Sequence, residues 1–241
     1  MISFKIFDKK DDLSDEVANI IFNRIKHQSP INLGLATGST MEPIYENFCE
    51  LVRKNSLDLS SVTTFNLDEY LGLDRNNTQS YYSYMHSHLF DKLAFNRTQT
   101  HLPWCTGDSE QFCRQYSELI ANAGGIDFQL LGIGENGHIG FNEPGTSFLQ
   151  KTHVVALSEK TRLDNSRFFN SLDEMPSHAI TMGLQDIMNA KEVVLVATGK
   201  NKAEIIKQLA QEKVSEALPA SVLHQHHNVS IYLDQEAASL L

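Results

Sequence analysis

Only three cysteines occur in the 241 residues, Cys49, Cys105 and Cys113, and no two of them form a CxxC pair. So sparse and odd a set argues against a disulfide framework and fits a reducing compartment. Long apolar runs are missing as well. Nothing approaches membrane-spanning length, and the opening MISFKIFDKKDD has no basic stretch leading into a long apolar one. Positive charge is short: 20 Lys and Arg stand against 30 Asp and Glu, a formal net charge of −10. The chain as a whole therefore repels nucleic acid and anionic membrane, and an anionic ligand has to be held by a local cluster of donors. The GK[ST] element of a Walker A loop, the GxSxG nucleophile elbow and the HExxH metal helix are all absent. No internal repeat, low-complexity tract or strong linker divides the chain. The expectation is one soluble, cytoplasmic domain over residues 1–241, with monomer and homo-oligomer both open.

Apolar residues make up 41% of the chain, enough for a full core. Short apolar runs at 3–7, 31–36, 62–67, 128–131, 154–157, 179–182, 192–197 and 229–233 read as strands. Between them, apolar residues recur at helical spacing: Leu13, Val17, Ile20, Ile21 and Ile25 in one segment, Met41, Ile44, Tyr45, Phe48, Leu51 and Val52 in the next. Further helices are expected over 81–93, 109–123, 159–169 and 202–211. Alternating strands and helices imply an α/β fold: a single-domain, open, mostly parallel, Rossmann-like sheet with helices on both faces. Ligands in such sheets bind outside the carboxyl ends of the strands.

Four polar clusters fall at such ends. Thr37-Gly38-Ser39-Thr40 joins a strand to a helix, where peptide N–H groups and hydroxyls can cradle a phosphate. Plain N-capping by Ser or Thr explains the same residues equally well. Asp68 and Glu69 end the strand over 62–67; a carboxylate there is placed as a general base or is an ordinary solvated loop acid. The stretch LLGIGENGHIGFNEPGTSF, 130–148, is dense in glycine around Asn136, His138 and Glu143. Its Gly132, Gly134 and Gly137 match the GxGxxG dinucleotide fingerprint by letter, but no helix pattern follows them. His138 with Glu143 reads as a proton shuttle, with Asn136 holding a further partner. A metal site is the disfavoured alternative, since neither His86/His88 nor His224/His226/His227 has ligand spacing. Arg167 and Lys202 are the candidate cations, each a surface charge unless it converges on the phosphate loop.

Five blocks, FNLDEYLGL (65–73), SYYSYMHSHLF (80–90), the 130–148 stretch, TRLDNSRFF (161–169) and PASVLHQHHNV (219–229), together resemble the glucosamine-6-phosphate deaminases over essentially the whole chain. The pairing of FN-x-DEY with GHIGFNEP sets this resemblance apart from the related 6-phosphogluconolactonases, which share fold and phosphate loop. The resemblance implies conversion of glucosamine 6-phosphate and water into fructose 6-phosphate and ammonia, with no organic cofactor; the histidine spacing adds the expectation of no metal. It implies that His138 opens the sugar ring with support from Glu143, and that Asp68 carries a proton from C2 to C1. It assigns Thr37, Gly38, Ser39, Thr40, Arg167 and Lys202 to the phosphate, with a lid over the active site at 158–169 that brings Arg167 in when substrate is bound. A sugar-phosphate lactonase and a non-catalytic sugar-phosphate sensor are the alternatives.

Two positions depart from longer members of that family. Asn136 stands where they carry Asp; an amide can accept a hydrogen bond from the imidazole but cannot stabilise its charged form, which implies a lower effective His138 pKa. His153 and Val155 stand where allosteric members carry basic residues, so no strong activation by N-acetylglucosamine 6-phosphate is expected.

Overall fold

The computed structural model describes residues 2–104, 107–159, 161–162, 169, 174–211 and 213–241. β1 (Ser3–Phe7) leads into α1 (Lys10–His27), which buries Leu13, Val17, Ala18, Ile21, Phe22 and Ile25 along one stripe. Asp11 and Asp12 in its first turn and Arg24, Lys26 and His27 in its last complement the helix dipole. β2 (Ile31–Leu35) is followed by α2 (Glu42–Asn55), which packs beside α1 through Ile44, Tyr45, Phe48, Cys49 and Val52. β3 (Val62–Asn66), β4 (Asp68–Tyr70) and α3 (Tyr81–Met85) come next, then β5 (Thr100–His101) and α4 (Ser109–Asn122). β6 (Phe128–Leu131), β7 (His153–Ala156), β8 (His178–Thr181), α5 (Leu184–Met188), β9 (Val193–Ala197), α6 (Ala203–Ala210) and β10 (Val229–Asp234) complete the order.

Seven strands form one parallel sheet in the order β1-β10-β9-β6-β2-β3-β5. Every residue of β6 and β9 is buried, because helices cover both faces and such strands need continuous apolar character. From β2 the chain builds outward through β3 to β5, then returns to the other side of β2 with β6, β9 and β10. The order therefore reverses between β2 and β6, and the loops leaving those two strands diverge to open a crevice.

The expected single sheet is corrected in one respect. The strands expected at 154–157 and 179–182 are β7 and β8, and they leave the central sheet to pair antiparallel with β4 in the order β4-β8-β7. The run expected over 62–67 breaks at Leu67, where the backbone passes from β3 to β4. Its N–H bonds Leu35 O and its carbonyl accepts from Met182, so this residue ties the two sheets together. The second sheet has a small core of its own, with Tyr70, Phe141, Leu157, Met175 and Ala179 buried. The helix expected over 81–93 is five residues of α-helix continued by a π-helical turn, His86–Phe90. Of the helix expected over 159–169, Glu159, Thr161 and Arg162 are helical, and most of the rest lies outside the described residues. β5 and α5 are too short to carry a periodic signal.

Candidate active site

A cavity of about 580 Å³ opens at the carboxyl ends of β2, β6 and β9, with β4 on its flank. Its walls include Thr37, Gly38, Ser39, Thr40, Asp68, His138 and Lys202. The structure thus gathers residues spread over more than 160 positions of sequence.

The loop before α2 separates the two readings of its hydroxyls. The helix N-cap is Met41, in αR conformation and without a side-chain capping bond, so Ser39 and Thr40 do not cap α2. Tyr45 Oη donates to Ala36 O at 2.5 Å, and Tyr84 Oη donates to Gly38 O at 2.9 Å, which pins the loop from both sides. Among the described residues, the peptide N–H groups of Thr37 to Thr40 donate to no protein acceptor. Four N–H groups and three hydroxyls facing a cavity at a helix start form a site suited to an anion.

Asp68 and Glu69 separate as neighbours in a strand must, toward opposite faces. Asp68 borders the cavity, yet its residue is only 7% exposed, and no donor reaches its carboxylate among the described residues. Lost hydration, and then the nearby Glu69 charge, push its pKa up to about 8. Glu69 points away and accepts three peptide N–H bonds, from Tyr70 at 2.9 Å, Tyr81 at 3.0 Å and Tyr82 at 2.8 Å. It anchors the start of α3 and is no part of the cavity wall. Burial raises its pKa, and the three N–H bonds pull the other way.

His138 is placed by Gly134. A Cβ at that glycine would lie 2.2–2.4 Å from the imidazole atoms, so the ring occupies the space a side chain would take. Gly134 N–H bonds His138 O at 2.9 Å, closing the loop on itself. No helix follows Gly137, which disposes of the dinucleotide fingerprint. Glu143 stands behind His138 rather than on the cavity wall, with Oε2 3.9 Å from His138 Nδ1. Its carboxylate accepts from Asn136 Nδ2 at 2.7 Å and from Thr161 Oγ1, with Ser158 Oγ 3.2 Å away. Asn136 bridges Glu143 and the turn that carries His138. Its oxygen accepts from the His138 peptide N–H at 3.2 Å, as an Asn side chain readily does two residues along a turn.

Lys202 lies in a 3-10 turn, Lys200–Lys202, that follows β9 through Gly199 at φ 92°, a conformation open mainly to glycine. The buried carboxylate of Asp234 accepts Gly199 N–H at 2.9 and 3.0 Å and fixes that turn. Arg167 and most of the expected lid lie outside the described residues. Sequence reading missed Lys10, Tyr70, Tyr81 and Tyr84 as wall residues, and missed Ser158 and Thr161 as partners of Glu143. Thr161 opens a block already singled out; nothing local marks Lys10. Among the described residues no group of three His, Cys, Asp or Glu is arranged to hold a metal ion, and no helix is long and apolar enough to cross a membrane.

Residues 8–232 match the family model described as glucosamine-6-phosphate isomerases/6-phosphogluconolactonase. The chain is 50% identical over 238 residues to a glucosamine-6-phosphate deaminase of Halalkalibacterium halodurans, covering 97% of this chain and 96% of that one. It is 48% identical over 232 residues to a protein of the same name from a Thermoanaerobacter species, covering 96% and 92%. A solved structure of a monomeric glucosamine-6-phosphate deaminase superposes with a TM-score of 0.97 at 43% identity, covering 99% of this chain and all of that one. A 6-phosphogluconolactonase of Trypanosoma brucei shares the fold at a TM-score of 0.79 and 20% identity. The chain belongs to the glucosamine-6-phosphate isomerase/6-phosphogluconolactonase family.

Proposed function

We propose that the protein is a glucosamine-6-phosphate deaminase, converting glucosamine 6-phosphate and water into fructose 6-phosphate and ammonia, a step of amino-sugar breakdown. The observation that carries this reading is Asp68: a desolvated carboxylate that no donor reaches among the described residues, on the wall of the cavity that also holds His138 and the 37–40 loop. A lactonase has no need of a second base beside its histidine, and a sensor needs neither.

The phosphate sits against Thr37, Gly38, Ser39 and Thr40, with Lys202 and Arg167 as its cations. His138 moves a proton to the ring oxygen, and the open aldehyde forms at C1. Glu143 orients the imidazole and stabilises its charged form, while Asn136 holds Glu143. Asp68 then takes the C2 proton, giving an enolamine, and returns it to C1. The resulting C2 imine adds water and releases ammonia, leaving the ketone. Burial suits Asp68 to taking the C2 proton, since a carboxylate with a raised pKa is a stronger base, and a pKa near working pH lets the same group hold the proton until it is returned.

Residues 1–241 act as one domain, as monomer or homo-oligomer. We place the protein in the cytosol, a reading supported by its cysteine usage. With His153 and Val155 on β7, N-acetylglucosamine 6-phosphate leaves the kinetics hyperbolic and unactivated. The decisive assay measures ammonia released from glucosamine 6-phosphate, with 6-phosphogluconolactone hydrolysis in parallel. Lactone hydrolysis without ammonia release refutes the proposal.

A further inference from the structure

Glu143 does not reach the substrate cavity, yet its carboxylate is saturated from several directions, and that pattern assigns a task to the chain at 158–162. Oε2 takes the Asn136 amide at 2.7 Å and is the oxygen nearer His138 Nδ1, at 3.9 Å. Oε1 is held on the other side by Thr161 Oγ1, with Ser158 Oγ 3.2 Å away. Ser158 Oγ also lies 2.9 Å from Thr161 Oγ1 and accepts the Thr161 peptide N–H at 3.1 Å. A hydroxyl has one proton to give. Thr161 gives its proton to Glu143, so its oxygen can take the Ser158 proton, and the two hydroxyls form a relay ending on the carboxylate.

The relay rests on the turn that starts at Ser158. Ser158 serves as the cap, with Arg162 N–H on Ser158 O at 2.9 Å closing the first turn. Thr161 is 3% exposed, so its hydroxyl has little water to bond instead. A carboxylate rotates easily about its last torsion, and a donor fixed on one oxygen fixes where the other points. A buried carboxylate–hydroxyl bond is also among the stronger hydrogen bonds.

We propose that Thr161, seated by Ser158, is a positioning residue for the deamination proposed above: its hydroxyl clamps Glu143 Oε1 so that Oε2 is presented to His138. The first helical turn after β7 thereby sets the competence of the His138–Glu143 pair. Nothing in this requires Thr161 to touch the sugar, although its side chain also borders the cavity.

Thr161→Val keeps the branched shape and loses the donor; Thr161→Ser keeps the donor. With glucosamine 6-phosphate, Thr161→Val is expected to lose about ten- to a hundred-fold in kcat, part of the roughly 100- to 10,000-fold that positioned proton transfer supplies. KM should stay within about threefold, and Thr161→Ser should recover most of the rate. In a Glu143→Gln background the valine should cost no more than about twofold, because the group it acts through is already lost. A full loss in that background, or a change confined to KM, overturns the proposal. A second readout does not depend on turnover. The imidazole nitrogen resonances of His138, followed by NMR at fixed pH, should move in Thr161→Val and return in Thr161→Ser. Unmoved resonances overturn the clamp, whereas wild-type protein that releases no ammonia overturns the deaminase reading while the resonances still report on Thr161. Near-ultraviolet circular dichroism like that of the parent establishes that each variant is folded.

Discussion

Asp68→Asn should make the protein more stable as it makes it inactive, and the stability gain should depend on pH. In the unfolded chain an aspartate titrates near 3.8; in the folded protein lost hydration pushes Asp68 up to about 8. Between those two values the folded state keeps a proton that the unfolded state has released. Stability from this group is therefore present at low pH and falls as pH rises through the window, by about 1.4 kcal/mol per pH unit. Asparagine removes the titration with little change of shape. Relative to the parent, the variant should gain about 4 kcal/mol between about pH 5 and about pH 8, a large share of a typical total of about 5–15 kcal/mol. Urea unfolding of both proteins at several pH values across that range measures the difference directly. Parallel stability curves would show that Asp68 is not the desolvated carboxylate described here. Ammonia release in the same variant should fall by about 100-fold or more, with inorganic phosphate still bound. Undiminished release would remove Asp68 from the chemistry whatever its pKa. In the parent the same group makes activity rise with pH through its titration, since only the ionised form takes the C2 proton.

Gly134→Ala should cost about 100-fold in kcat, because the new methyl must displace an imidazole now 2.2–2.4 Å from its position, and ammonia release against circular dichroism separates that from unfolding. Glu69→Gln should lower stability by about 1–3 kcal/mol in urea unfolding, since one amide oxygen cannot serve three peptide N–H groups. Lys202→Ala should raise KM and weaken competition by inorganic phosphate several-fold with kcat little changed; an effect on kcat alone would move Lys202 away from the phosphate. Prolonged chelator treatment should leave ammonia release intact, and a loss restored by a divalent ion would reverse the metal-free reading.

Much of this arrangement could be read in order along the chain. Apolar runs such as VVLVA in β9 and the helical stripe from Leu13 to Ile25 depend on near neighbours, and local patterns report them faithfully. Strand-end placement then pointed to the 37–40 loop, Asp68, His138 and Lys202 before any contact was known. The resemblance to the deaminases supplied roles for them that spacing could not.

Other decisions belonged to partners far away in sequence. Whether Ser39 and Thr40 cap a helix or face a ligand turned on where α2 begins, at Met41. Asp68 and Glu69 look alike in sequence; the break at Leu67 and the pairing of β4 with β8 sent one to the cavity and the other onto the peptide N–H groups of α3. Which partners Asn136 holds, Glu143 and the His138 backbone, also came from the fold. Nor does local sequence join Thr161 to Glu143, 18 positions earlier. The sequence by itself determined the elements, the loops that carry polar groups and the family, because those rest on local spacing and motif. Tertiary structure decided which carboxylate loses its water, which hydroxyl donates and to whom, because desolvation and hydrogen bonding depend on groups that only folding brings together.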